Sequence, residues 1–268
     1  MKRTTKKKVG RRFKNAYIGL VFLFLYLPIL LVIIFSFNTS KMNIVWEGFT
    51  LSWYGTFFKN RPLMEALYNT LIVAVASTVI ATVIGTIGAV GLHKYNFRGK
   101  KIIDKLLYMP IVIPEIILGI SLLAIFSILN IPLGLMSITI AHITFSIPFV
   151  VINVRARLAG FNASLEEAAM DLGANRFTTF MTITLPLIMP GVLSGAMLAF
   201  ALSIDDVVIS FFTCGPQSTT LPIKILSMVK TGVTPEVNAL STIIMVITMV
   251  IICLNTRAQV KRIKALEQ

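Results

Sequence analysis

Hydrophobic runs of about span length alternate with short polar segments along the chain. Six runs stand out, at about Tyr17–Phe37, Tyr68–Leu92, Leu107–Leu129, Leu135–Val154, Leu187–Phe212 and Asn238–Leu254. Crossing about 30 Å of hydrocarbon takes about 20 apolar residues in a helix. The pattern therefore predicts six membrane-spanning helices. A secretory signal has an apolar core of only about 7–15 residues followed by a small-residue cleavage site. The run from Ala16 to Ser40 is longer and offers no such site, so it is read as a retained first span.

The charged residues orient these spans. Lys2, Arg3, Lys6, Lys7, Lys8, Arg11, Arg12 and Lys14 precede the first run. Lys94, Arg98, Lys100, Lys101 and Lys105 follow the second, Arg155, Arg157 and Arg176 follow the fourth, and Arg257, Lys261, Arg262 and Lys264 follow the sixth. Only Lys41, Lys59, Arg61, Lys224 and Lys230 fall in the alternate segments. Basic residues concentrate on the cytoplasmic side of membrane proteins. Both termini are therefore expected in the cytoplasm, in an all-α polytopic protein of the cytoplasmic (inner) cell membrane.

Composition agrees with this reading. The 268 residues are 56% hydrophobic and 13% charged, against about 25% charged in soluble domains. The net charge of +14 would suit nucleic acid, but its basic residues flank spans, so a nucleic-acid partner is rejected. Cys214 and Cys253 fall near opposite faces and have no CxxC or histidine neighbour. Neither a disulfide nor a metal site is expected.

Several positions carry local expectations. Thr50 to Asn60, with Trp53, Tyr54, Phe57 and Phe58, reads as a short outer helix or an aromatic loop tip. Ser77, Ala81, Gly85 and Ala89 put small residues on one face of the second span, where a neighbouring backbone can approach. Pro110 and Pro114 predict a kinked or broken third span. Glu115 beside them is an intramembrane carboxylate and so a candidate functional residue. His142 reads as a satisfied bundle residue. Asn130–Gly134 is a turn, and Gly215-Pro216 and Leu221-Pro222 are read as further turns.

Asp205 and Asp206 are consecutive acids in the outer part of the fifth span. Adjacent helical residues point about 100° apart at about 3.6 residues per turn, so one can face a pathway while the other binds a neighbouring helix. Asp205, Asp206 and Glu115 are the candidate substrate-pathway residues. Uncompensated acids at this depth are costly, and a cationic substrate or partner would offset that cost. The expected order puts an aspartate near the outer mouth and Glu115 further in.

The longest polar interruption is Phe161 to Pro186, FNASLEEAAMDLGANRFTTFMTITLP. Ser164 and Glu167 fit a capping box, with two acids in the first turn of a helix. Gly173 is a helix stop. Asn175 is placed to cap a second short helix, Arg176 to Thr184, bounded by Pro186. Two capped helices are more than an ordinary loop needs, so the segment is read as a docking element.

Glu167-Ala168-Ala169, Gly173 after three intervening residues, and Ile183-x-Leu185-Pro186 resemble the EAA loop of binding-protein-dependent ABC importer permeases. The stretches SFNTSK, WEGFTLSWY, KYNFRGK, HITFSIPFVV, ALSIDDVVISFF and LPIKILSMVKTGVTPEVNAL look like the spermidine/putrescine permeases of that family. The resemblance implies a type I ABC importer permease fold over residues 64–256, after a basic tail (1–15) and a first helix with its outer segment (16–63), and before a cytoplasmic tail (257–268). It implies a second permease subunit of the B type, two copies of a cytoplasmic ABC ATPase and an extracytoplasmic polyamine-binding protein. Glu166, Glu167, Ala168, Ala169, Asp171 and Gly173 become the expected ATPase-coupling residues.

No GxxxxGK[ST] stretch occurs in the chain, so ATP and Mg are expected on the partner ATPase and no cofactor on this subunit. The chain is read as a transport subunit and not as an enzyme. Rival readings are an ABC permease for another small organic solute and a proton-coupled secondary transporter using the same three acids. A membrane-embedded enzyme would need a nucleophile–base or metal cluster, which the two separated histidines and two separated cysteines do not provide.

Overall fold

The computed structural model describes the backbone of residues 2–40, 45–231 and 235–266, and the side chains of 14–15, 17–40, 45–230 and 235–250. The basic side chains of both tails other than Lys14, together with Lys41 and Cys253, lie outside the described residues. In chain order the helices are α1 (Lys2–Phe35), α2 (Ser52–Lys59), α3 (Arg61–Lys94), α4 (Lys100–Val112), α5 (Glu115–Ile128), α6 (Leu135–Leu158), α7 (Ser164–Asp171), α8 (Arg176–Thr179), α9 (Leu185–Asp205), α10 (Val208–Thr213), α11 (Leu221–Thr231) and α12 (Pro235–Leu266). A π-helical turn, Phe180–Thr184, joins α8 to α9.

Among the described residues, four stretches are long and apolar enough to cross a membrane: Tyr17–Phe35, Arg61–Lys94, Leu135–Leu158 and Arg176–Asp205. A fifth is α4 with α5, taken as one span bent by 113°. The apolar part of α12, Pro235–Val250, is shorter.

The chain divides into two compact units, residues 1–64 with 225–268, and residues 65–224. In the first, the aromatic stretch forms α2 and not a loop tip. The Trp53 indole N–H donates to the Asn38 carbonyl at 2.6 Å. Phe37 stacks on Phe49, and the Asn60 amide donates to Glu236 at 2.8 Å.

The second unit is built on close helix approach. Ser77, Ala81 and Ala89 of α3 are fully buried. A Cβ at Gly85 would stand 2.8 Å from Val150 of α6, and one at Gly195 of α9 would stand 2.9 Å from the same residue's Cα. Val150 is thus clamped between two glycines on two helices. Lipid offers helices no hydrophobic drive to associate, so contact of this kind supplies the packing energy. Around it, Ala89 and Val90 of α3, Val151 and Val154 of α6, and Ile188 and Val192 of α9 form one core cluster. Leu122 and Phe126 of α5, Ala141 and Phe145 of α6, and Ile209 of α10 form another.

Four boundaries differ from the sequence expectation. The inner loop 93–106 becomes helical at Lys100, and Asp104 there pairs with Arg155 at 2.8 Å. Leu221-Pro222 is no turn. It opens α11, since a proline at the start of a helix forfeits no hydrogen bond. The fifth span does not run to Phe212 but stops at Asp205 and restarts as α10. Nor does Pro186 bound a separate short helix. The helix passes from α8 through the π turn into α9. Proline lacks an N–H and crowds the carbonyl four residues back, and the wider π turn lies where that crowding falls.

Candidate functional site

Two helix breaks face one cavity. The first follows from Pro114, which donates no hydrogen bond and forces its predecessor out of the helical region. Ile113 accordingly sits at φ −72°, ψ 133°, and the chain restarts helically at Glu115. The second lies at Asp206, with φ −63° and ψ 123°. The Asp206 carboxylate accepts from the backbone N–H of Ile209 at 3.2 Å and of Ser210 at 2.7 Å, which anchors the start of α10. α10 then packs on α5, with Gly119 against the ring of Phe212. Irregular backbone at membrane depth persists only where protein or a cavity satisfies it.

The cavity holds about 330 Å³ and is lined by both breaks: Ile113 and Glu115 on one side, Asp205 to Ile209 on the other. Phe145 and Phe149 of α6 complete its wall. The sequence placed the three acids at successive depths, and the structure gathers them around one space. Their states differ. Asp206 is buried, and its Oδ2 lies 3.3 Å from Nε2 of His142. Asp205 and Glu115 are exposed to the cavity and have no ion-pair partner among the described residues.

His142 is the satisfied bundle residue expected. Its Nδ1 lies 2.6 Å from the Ser203 hydroxyl and its Nε2 3.0 Å from that of Ser210. A carboxylate only accepts, so Nε2 carries the proton toward Asp206, and in the neutral ring Nδ1 accepts from Ser203. Ser203 in turn meets Ser77 of α3 at 3.2 Å. Ser77, Ser203 and Ser210 read as ordinary small residues in sequence, and only their convergence on His142 marks them.

The interrupting segment has a defined shape. The expected Ser164–Glu167 capping box does not form. Asn162, two residues earlier, accepts from both the N–H and the hydroxyl of Ser164, at 3.1 and 2.8 Å. Glu167 is exposed. Gly173 ends α7 at φ +90°. Its N–H bonds the Met170 carbonyl at 2.9 Å and the next N–H, of Ala174, reaches back to Ala169 at 3.1 Å, a Schellman pair. Asn175 caps α8 as expected, accepting from Thr178 N–H at 2.8 Å.

α7 presents Leu165, Glu167, Ala168, Met170 and Asp171 to its surroundings, with Leu172 91% exposed just beyond. Ala169 is half-buried and Gly173 open. Glu166 alone turns in. Its Oε1 accepts from Lys94 at 2.6 Å and from the Thr184 hydroxyl. Burial pushes this carboxyl up, but the hydrogen bonds from Lys94 and Thr184 and the Lys94 charge outweigh it, holding it below the usual carboxylate range.

Residues 81–264 match the family of binding-protein-dependent transport system inner membrane components. The chain is 46% identical over 244 residues to the spermidine/putrescine transport system permease protein PotC of Escherichia coli K12, covering 91% of this chain and 92% of that protein. It is 40% identical to the PotC of Haemophilus influenzae, covering 90% and 94%. It is also 40% identical to the putrescine transport system permease protein PotI of E. coli K12, covering 92% of each. Among solved structures, a bacterial alginate ABC transporter chain superimposes with a TM-score of 0.72 at 17% identity, covering 98% of this chain and 97% of that one. A chain of the MetNI methionine ABC transporter does so with 0.60 at 19%, covering 74% and 94%. This chain therefore belongs to the binding-protein-dependent inner membrane components, the permease subunits of ABC importers, and has their fold.

Proposed function

We propose that this chain moves polyamines, spermidine and putrescine, across the cytoplasmic membrane as one permease subunit of an ATP-driven importer. The observation that carries this reading is the pair of unpartnered acids, Glu115 and Asp205, at two helix breaks around one cavity. A flexible polycation offsets carboxylates that would otherwise be costly there. The C-terminal ends of α4 and α9 add the negative poles of two helix dipoles. Phe145 and Phe149 offer faces for cation–π contact. The names carried by the relatives at 40–46% identity point to the same cargo.

On this reading Asp205 and Glu115 contact the passing ammonium groups, while Asp206 borders the path with its oxygens already engaged. The exposed face of α7 docks on the partner ATPase, with Ala168, Ala169 and Gly173 allowing close approach and Glu167 supplying a polar contact. Asp171 stands at the rim of that contact. ATP is hydrolysed on the ATPase, of which two copies serve a pore made with a B-type permease. A polyamine-binding protein delivers cargo from outside. The six spans, with both termini inside, comprise the five described apolar stretches and α12.

Uptake of labelled spermidine into proteoliposomes carrying the complete complex tests the assignment. ATP-dependent uptake that polyamines compete for, and that Asp205→Asn and Glu115→Gln each lower about tenfold to a hundredfold with assembly intact, is the expected result. Unchanged uptake in both variants would remove the acids from the path. Uptake driven by a proton gradient without ATP would replace the ABC reading with a secondary transporter.

A further inference from the structure

The two adjacent glutamates of the coupling segment face opposite ways, and the inward one has three bodies in its grip. Glu166 belongs to α7. Lys94, which it binds, is the last residue of α3. Thr184, which it also binds, closes the π turn that leads into α9. One carboxylate oxygen thus ties the docking helix to the cytoplasmic ends of two membrane helices.

The same two helices are joined again far from this point. Ser77 of α3 meets Ser203 of α9 at 3.2 Å. Ser203 continues to His142 and so to Asp206 at the cavity. Lys94 and Ser77 are separated by about 26 Å along α3, and Thr184 and Ser203 by about 28 Å along the helix that becomes α9, at about 1.5 Å per residue. Two struts of nearly equal length run from one hydrogen-bonded junction at the docking helix to another at the cavity wall.

We infer that Glu166, with Lys94 and Thr184, is a positioning latch that makes α7 move as one body with α3 and α9, so that displacement of the docking face reaches the cavity carboxylates. The inference rests on the proposed coupling role of α7. It also separates the roles of the two glutamates: Glu167 meets the partner, and Glu166 holds the lever to it. A rigid link is needed here because α7 is only eight residues long and is joined in sequence to α6 and α8 by short non-helical segments. Packed elements with two discrete arrangements carry coupling between distant sites, and a loose hinge at this junction would dissipate the motion.

The test uses the complete transporter in proteoliposomes, with ATP hydrolysis and uptake measured together. Glu166→Gln and Lys94→Met are expected to lower uptake per ATP by about tenfold while hydrolysis stays within about twofold of wild type. The exchange Lys94→Glu with Glu166→Lys is expected to recover at least about half of the loss. Thr184→Val, a milder change, should show a smaller loss of the same kind. An unchanged uptake-to-hydrolysis ratio in all of these would overturn the latch. So would loss of complex assembly in every variant with no recovery in the exchange. A second readout does not depend on the cargo. Spin labels at Leu172→Cys and Met197→Cys, with Cys214 and Cys253 replaced by serine, should report one narrow distance that broadens in Glu166→Gln. An unbroadened distance would also overturn the latch. If wild-type complex fails to take up polyamine yet the distance broadens, the cargo assignment fails and the latch stands.

Discussion

Two pairs of consecutive acids sit at the two ends of one helical unit, and each pair is split by its helix. At α7 Glu166 is fastened and Glu167 is exposed with no ion-pair partner among the described residues. At the cavity Asp206 is fastened and Asp205 is free. The fasteners differ in kind. Glu166 is held by a lysine side chain at the edge of the aqueous phase, where a permanent cation is readily solvated. Asp206 is held by two backbone N–H groups and a histidine in the protein interior. A polar backbone that must be satisfied anyway supplies two of the donors there. On the proposed reading the fastened acid sets geometry and the free acid is left for a partner, an ATPase at one end and a cation at the other.

The comparison can be broken at several strengths. The largest effect is expected at the free acids of the cavity. Asp205→Asn and Glu115→Gln should each cost about tenfold to a hundredfold in spermidine uptake, the loss of one charge-assisted contact, measured in proteoliposomes at fixed ATP. The free acid of α7 comes next. Glu167→Lys, or Gly173→Arg at its φ of +90°, should reduce uptake by about tenfold or more without loss of membrane insertion. Transport at wild-type rate in both would mean that α7 is not the coupling element.

The fastened acid of the cavity should act mainly on stability. Asp206→Ala removes an acceptor shared by Ile209, Ser210 and His142, and should destabilise the solubilised subunit by about 2–4 kcal/mol. Thermal unfolding in detergent measures it. An unaltered melting temperature would show that the α9–α10 break needs no fastener.

Glu166 adds a pH test. Its carboxyl is depressed from the usual 4.5, so the folded state binds its proton less readily than the unfolded chain does. The stability it contributes is complete above 4.5 and is lost as pH falls through its lower folded value. Glu166→Gln should therefore melt earlier than wild type at pH 6, and the gap should close in strong acid. The smallest effect is expected at Thr86 of α3, whose hydroxyl is buried without a hydrogen-bond partner among the described residues. Thr86→Val should change stability by less than about 0.5 kcal/mol or raise it slightly, since no bond is lost. A large loss there would mean that a bound water or a partner subunit uses that hydroxyl.

Much of this was legible in the sequence for plain reasons. Gly173 ends a helix because, with no Cβ, it accepts φ +90°, and Asn175 begins one because its side chain accepts from a backbone N–H of the next turn. Pro114 supplies no N–H to the helix before it and drives Ile113 out of the helical region. The stripe Ser77–Ala89 announces close packing because only small residues permit it. Other features were not legible. Ser164 looked like the cap, but Asn162 reached the N–H first. Leu221-Pro222 looked like a turn because a proline that breaks a helix also starts one. The break at Asp206 carries no proline or glycine, so nothing local foretold it.

What the sequence determined by itself is what depends on period, run length and covalent constraint: membrane-spanning helices, the short helix α7 with its glycine stop, and the presence of two acid pairs. Only the tertiary structure decided which acid of each pair is free. That choice depends on whether Lys94, Thr184, His142 and the amides after Asp206 come within about 3 Å of a carboxylate. Those partners lie up to 72 residues away in the chain, and no local pattern encodes the meeting.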